Sequence, residues 1–351
     1  MKIALVLPGN IWFAPYVRIY TRILDSQAVN YVIISWNRDG KDDEEGFQYK
    51  ADAFESTRSA TLKEYLGYVH YIKQTIHNEG FDRLIIFGPH IACLLNTFLI
   101  GWKGKYIIDY RDLSIEQKPV FKQVFSFLLK RSYINVISSP GFKKCLPQGE
   151  YYISHNFDVE AVEAALDNNK GGFYVQNGID VLTIGGIRDY SSNIEIVNSL
   201  ANCEGVTCRF VGKGLAEHQI KEYCENNHIS NVLFWGFYRK EEEAGYIKTA
   251  TFLNIFYPRV VTHDTAMSNR FYNSLIFKRP MIVTKDTTQG EYVEKYGLGV
   301  AIKDGANLKN KLEDYLRTNY LEYCNRCDAL LKSFLNDQTL FESKVKEFIY
   351  E

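Results

Sequence analysis

Short runs of β-branched and other apolar residues recur along this chain, each followed by a longer segment whose apolar residues return every three or four positions. Ile3–Leu7, Tyr31–Ser35, Arg83–Phe87, Tyr106–Asp109 and Asn135–Ser138 read as strands buried on both faces. Between them, Pro15–Leu24 and Leu62–Asn78 carry a helical period. Strands that are apolar throughout and separated by amphipathic helices predict a parallel sheet covered on both sides.

The alternation lapses at Asp167–Gly172, a polar, glycine-bearing stretch that reads as an interdomain linker. A second series then begins, with strands at Asp180–Ile184, Val206–Val211, Val232–Trp235, Thr251–Phe256 and Met281–Thr284. No repeat of sequence accompanies this repeat of pattern. At 351 residues, 46% of them hydrophobic, the chain has material for two cores. The expected organisation is an N-terminal domain over 1–165, a second domain over 175–335, and a closing helix in 336–351 that crosses back to the first domain. Two doubly wound domains bind ligands outside the carboxyl ends of their strands, so an active site in a cleft between them is expected.

Composition narrows the partners. Forty-one Lys and Arg against 42 Asp and Glu leave no global charge to draw nucleic acid or an acidic substrate. The seven cysteines are odd in number and scattered, which suits a reducing cytoplasm and ordinary thiols. Cys324 and Cys327 form one CxxC with no second pair at zinc spacing, so no metal is expected. The start MKIALVLPGN reads as a strand and turn, and no apolar run is long enough to span a membrane. The acidic stretch Lys41–Glu45 reads as a solvated loop.

Candidate functional residues sit where strands end. Gly9, after the first strand, would let backbone amides approach an anion, or would simply make a tight turn. Val181–Arg188 runs strand, two glycines and a cation; Gly186 permits close backbone approach and Arg188 could fork onto a diphosphate, with an exposed loop arginine as the alternative. Tyr238 or Phe237, past the strand at Val232, could stack on a nucleobase or belong to the core's edge. The stretch MSNRFYNSLIFKRPMIVT predicts a helix starting near Ser268 and stopping at Pro280. Its first amides, with Asn269, Arg270 and Asn273, would meet an anionic group. In the first domain Asp109, Arg111 and Asp112 close a strand, as catalytic groups or as an internal ion pair; His90 is a further candidate.

Taken together, these motifs resemble the GT-B glycosyltransferases, in particular the retaining nucleotide-sugar transferases of the family 4 type that build bacterial surface polysaccharides. The resemblance spans nearly the whole chain and is strongest from Val181 to Ile302. Gly185, Gly186 and Arg188 match the family's opening of the second domain. Asn231, Val232, Phe234 and Gly236 match its "NV.F.G". Ser268–Asn273 and Lys278–Ile282 match its "PNK.(F/Y)E" helix start and "G.PVI", with Lys278 at the glycine. Gly290–Val293 and Gly297–Gly299 follow its "elV...g.G"; Arg111–Leu113 resembles its "RDL" variant, and Val136–Ser139 its strand before the hinge. Two glutamates usual in the family correspond to Thr265 and Asn273, and its second diphosphate-binding cation falls near Ser192–Asn193.

The resemblance implies two Rossmann-like domains facing a cleft and a cytoplasmic, metal-independent enzyme without a cofactor. That enzyme would move a sugar, with retention, from a nucleotide diphosphate sugar to a glycan or lipid-linked acceptor. Donor contacts fall on Gly9, Gly186, Arg188, Tyr238, Ser268, Asn269, Arg270 and Asn273; Arg111 and Asp112 are the catalytic candidates. A catalytically silent GT-B relative and a nucleotide-sugar epimerase are the alternatives. Lys118, Lys122, Lys130 and Arg131 beside Phe121–Leu129 offer either peripheral contact with an anionic membrane or a core-packed helix.

Overall fold

The computed structural model describes residues 1–38, 40–43, 45–50, 60–166, 172–175 and 178–351. They form two compact units, Met1–His155 with Asn336–Glu351, and Asn156–Leu335. The stretch 167–172 read as a linker lies, apart from Gly172, outside the described residues.

The first unit holds seven strands: β1 (Lys2–Val6), β2 (Asn30–Asn37), β3 (Phe47–Lys50), β4 (Arg83–Phe87), β5 (Tyr106–Tyr110), β6 (Asn135–Ile137) and β7 (Tyr152–Ile153). Their order is β3-β2-β1-β4-β5-β6-β7, and every pairing is parallel. Ile3, Leu5 and Leu7 are fully buried, as are Ala4 and Val6 on the opposite face. Burial on both faces is why the strand is an unbroken apolar run.

The second unit repeats this order with six strands: β8 (Ile179–Ile184), β9 (Val206–Val211), β10 (Val232–Gly236), β11 (Phe252–Ile255), β12 (Met281–Thr284) and β13 (Gly299–Ile302). They lie β10-β9-β8-β11-β12-β13, again all parallel. In both units the sheet reverses direction of growth beside its first strand, between β1 and β4 and between β8 and β11. Ligands of open α/β sheets bind at the carboxyl ends of such a pair.

One segment packs outside the domain expected for it, and the closing helix is longer than expected. The helix Val159–Ala165 starts on an Asp158 cap and buries Val162 in the second unit's core, not the first's. The closing helix begins far earlier than the sequence pattern suggests, running Tyr320–Tyr350 without a glycine or proline to stop it. Tyr323, Cys324 and Cys327 near its start join the second unit's core; Phe341, Val345 and Phe348 near its end pack with Ile3, Leu5 and Val17 in the first. The acidic loop is also not merely solvated. Asp43 accepts from Ile11 N at 3.1 Å and Ser35 Oγ at 2.6 Å, tying the loop to the end of β2.

Candidate functional site

The helix Asn269–Ile276 starts where its sequence says it must. Ser268 is extended, and its side chain accepts from Phe271 N at 3.3 Å, an N-cap that satisfies one of the helix's orphan amides; the first helical amides before it have no intrahelical acceptor. Phe271, Tyr272 and Leu275 bury the other face. After Phe277 the chain takes a left-handed turn at Lys278 and leaves through Pro280 into β12. Lys278, where the family resemblance has a glycine, is buried in an ion pair with Asp328.

This helix start, the glycine loop after β8 and the turn after β10 enclose a cavity of about 460 Å³. It brings together seven of the eight expected donor contacts: Gly186, Arg188, Tyr238, Ser268, Asn269, Arg270 and Asn273. The loop depends on glycine. Gly185 sits at φ +97°, and a Cβ on Gly212, which lies against it, would come 2.0 Å from the Gly185 carbonyl oxygen. Only bare backbone allows that approach.

The two arginines do different things. Arg270 donates to the Ile184, Asn254 and Gly186 carbonyls, so its guanidinium braces the loop from beneath as well as adding charge. Arg188 is exposed on the cavity and makes no hydrogen bond or ion pair among the described residues. A guanidinium without a protein partner is the group available to an anion.

Tyr238 is half-buried beside Glu243, which accepts from its hydroxyl at 3.1 Å and also pairs with Lys240. Burial first, then the Glu243 charge, pushes the phenol up to about 12, so it stays a neutral donor. Asn269 Oδ1 accepts from Asn156 Nδ2 at 2.7 Å, whereas the Asn273 side chain has no partner among the described residues. At the two remaining departures from the family pattern, Thr265 is buried with its hydroxyl donating to Val261 O at 2.7 Å, and Asn193 is buried between Asp189 and Asn254.

The cavity also includes residues that the sequence did not single out, among them Asp189, His263 and Gln289. Gln289 is only 3% exposed and lines the site. Its Oε1 accepts from Ser268 N at 3.1 Å and from Ser268 Oγ at 2.8 Å. Since a backbone N–H can only donate, the atom facing it is the oxygen, and the amide NH2 is left without a protein partner among the described residues. The signal available was Thr287, which caps the helix Thr288–Tyr296 and so places Gln289 in its first turn, just past β12.

The first unit holds the remaining candidates. Gly9 lines a separate cavity of about 610 Å³, and the 3-10 turn Ile11–Phe13 separates it from the helix start at Val17. Arg111 is buried and engaged: Nε and Nη2 bind the two Asp109 oxygens at 2.6 and 2.8 Å, and Nη1 and Nη2 bind Ser154 at 3.1 and 3.0 Å. Tyr20 completes the cluster by donating to Asp109 at 2.7 Å. The internal ion pair is therefore the arrangement Arg111 adopts; Asp112, next to it, is exposed. In the helix Pro119–Leu129 the packed residues are Phe125, Leu128 and Leu129, while Phe121 faces the cavity.

All seven cysteines are free thiols. Among the described residues no three His, Cys, Asp or Glu side chains cluster as metal ligands, and no helix is long and apolar enough to cross a membrane.

No family model matches the chain, and no curated protein does. Solved structures do. Sucrose-phosphate synthase from Thermosynechococcus elongatus superposes with a TM-score of 0.69 at 14% identity, covering 98% of each chain. Anabaena HepE in complex with UDP and glucose reaches 0.67 at 12% identity, over 99% of this chain and 100% of that one. The chain has the GT-B fold. The lipopolysaccharide outer core galactosyltransferase WaaB agrees, with a TM-score of 0.66 at 14% identity over 97% and 100% of the chains. At such identities the likeness is one of fold, shared with enzymes that handle nucleotide sugars.

Proposed function

We propose that this GT-B protein is a glycosyltransferase whose second unit binds a nucleotide diphosphate sugar. The observation that carries the reading is one cavity holding a capped helix start, a glycine loop and an Arg188 that has no partner among the described residues. Departure of a nucleoside diphosphate develops negative charge, and fixed donors aimed at that charge lower the barrier. Arg188, the first amides of Asn269–Ile276 and the Gln289 amide would hold the diphosphate; Asn273 would meet the ribose and Tyr238 the base. These protein groups are the basis for a metal-independent course, and retention of configuration rests on the family resemblance. A glycan or lipid-linked acceptor, a part in bacterial polysaccharide synthesis and a cytoplasmic place, peripheral to the inner membrane, belong to the same proposal.

Calorimetry with UDP, GDP and ADP tests it. One of them should bind, and Arg188→Ala should weaken it by about 1.5 to 3 kcal/mol, the worth of a charged hydrogen bond. Binding of none at millimolar concentration overturns the reading.

Thr265 supports a second reading. Its hydroxyl is committed to Val261 O, and no carboxylate stands where the family has its first glutamate. A silent GT-B relative would bind nucleotide without turning it over. Arg188-dependent turnover of any donor sugar excludes that.

A further inference from the structure

The first unit's cavity differs in kind from the second's. Phe13, Leu62, Leu94, Ile115 and Phe121 give it an apolar wall beside Tyr16, Tyr65, Arg38 and Ser114, and no carboxylate among the described residues lines it. Sugar hydroxyls both donate and accept, so a site built for a glycan carries several unengaged carboxylates and amides. Here the one amide side chain among the described residues, Asn10, is already engaged: Nδ2 donates to Lys41 O and Oδ1 accepts from Arg38 N, both at 3.0 Å.

The wall continues outward as exposed apolar surface. Phe13 and Leu62 are 58% and 69% exposed, and Trp12, itself exposed, stacks on Phe13 with ring centroids 3.4 Å apart. Large apolar side chains rimming a concave site mark a place where apolar surface is buried on binding. His90 enters the same cavity from the start of the short helix Pro89–Leu94 that follows β4, with no hydrogen-bond partner among the described residues. Burial, reinforced by Arg38, holds its imidazole down at about 4, so it is neutral and able to accept from a hydroxyl.

We propose that this cavity binds an apolar aglycone, the alkyl or aryl part of a ligand whose polar attachment meets His90 and Arg38. Calling that ligand the acceptor rests on the transferase reading; the binding itself does not.

The experiment titrates the full chain calorimetrically with methyl, n-octyl and phenyl β-D-glucoside, the octyl compound below its micellar concentration. Burial of two further methylenes is worth about tenfold in affinity. Octyl or phenyl glucoside should therefore bind at least about tenfold tighter than methyl, and whichever does so identifies the aglycone as alkyl or aryl. Leu62→Ser and Phe13→Ser, at exposed positions where folding tolerates change, should each reduce that preference several-fold while nucleotide binding stays unchanged. Equal affinity for all three glucosides, or a preference that survives both substitutions, overturns the proposal. An intact apolar preference in a chain that binds no nucleotide would keep this site and discard the transferase reading; nucleotide binding without the preference does the reverse.

Discussion

The two units share a strand order and differ in what stands at the strand ends. After β5 of the first, Asp109 and Arg111 satisfy each other together with Tyr20 and Ser154, leaving an apolar cavity with a neutral imidazole. After β8 of the second, the charge stays outward: Arg188 has no partner among the described residues, and a helix start, an amide NH2 and a bare glycine loop surround it. One topology thus supports two opposite electrostatic environments. The fold supplies the position of a site, and the loop residues supply its chemistry.

The sharpest way to break that contrast is in the first unit. Arg111→Met leaves Asp109, which is fully buried, without its counter-charge. It should destabilise that unit by about 3 to 5 kcal/mol in denaturant unfolding, with nucleotide affinity at the second unit unaltered. An unfolding midpoint like that of the parent would mean the pair is not structural.

His90 should make the same unit sensitive to acid. Its folded pKa of about 4 lies below the ordinary histidine value, so between the two the unfolded chain binds the extra proton. Stability is full above about pH 6.5 and should fall on acidification towards pH 4, by about 2 to 3 kcal/mol. His90→Gln should flatten that part of the stability profile; an unchanged slope would assign it to other groups.

In the second unit, Gln289→Glu keeps an acceptor for Ser268 but replaces the free donor with a negative charge. Diphosphate binding should weaken by about 1.4 kcal/mol, roughly tenfold. Unchanged affinity would place Gln289 in the scaffold alone. The smallest effect is expected from Asn273→Glu, which should tighten a nucleoside diphosphate by about 0.5 to 1 kcal/mol through a charge-assisted ribose contact. Inorganic pyrophosphate, lacking the ribose, should not gain. Weaker nucleotide binding would show a pocket built around the amide.

Much of this contrast was legible residue by residue. Arg83–Phe87, Val206–Val211 and Met281–Thr284 are strands with the ends their patterns suggested: Met281–Thr284 is buried throughout, whereas Val206–Val211 alternates, with Thr207 and Arg209 only partly buried. The Ser268 cap and the stop at Pro280 follow from local chemistry alone. Of the four edge strands only β10 announced itself. β7 is two residues long, and β13 opens on Gly299, where a Cβ would meet the Met281 oxygen at 2.0 Å. So short a strand has too few positions to display a period.

What the sequence by itself determined is therefore the alternation of strand and helix, the helix start at Ser268 and the glycine loop before Arg188, all set by interactions between near neighbours. Only the tertiary structure decided which charges remain available. Arg111 and Arg188 both follow strands and read alike along the chain. Tyr20 and Ser154, far from Arg111 in sequence, enclose the first and complete its hydrogen bonding, while nothing among the described residues closes over the second. An arginine's availability depends on the desolvation and partners supplied by distant segments, and those exist only once the sheet has brought them together.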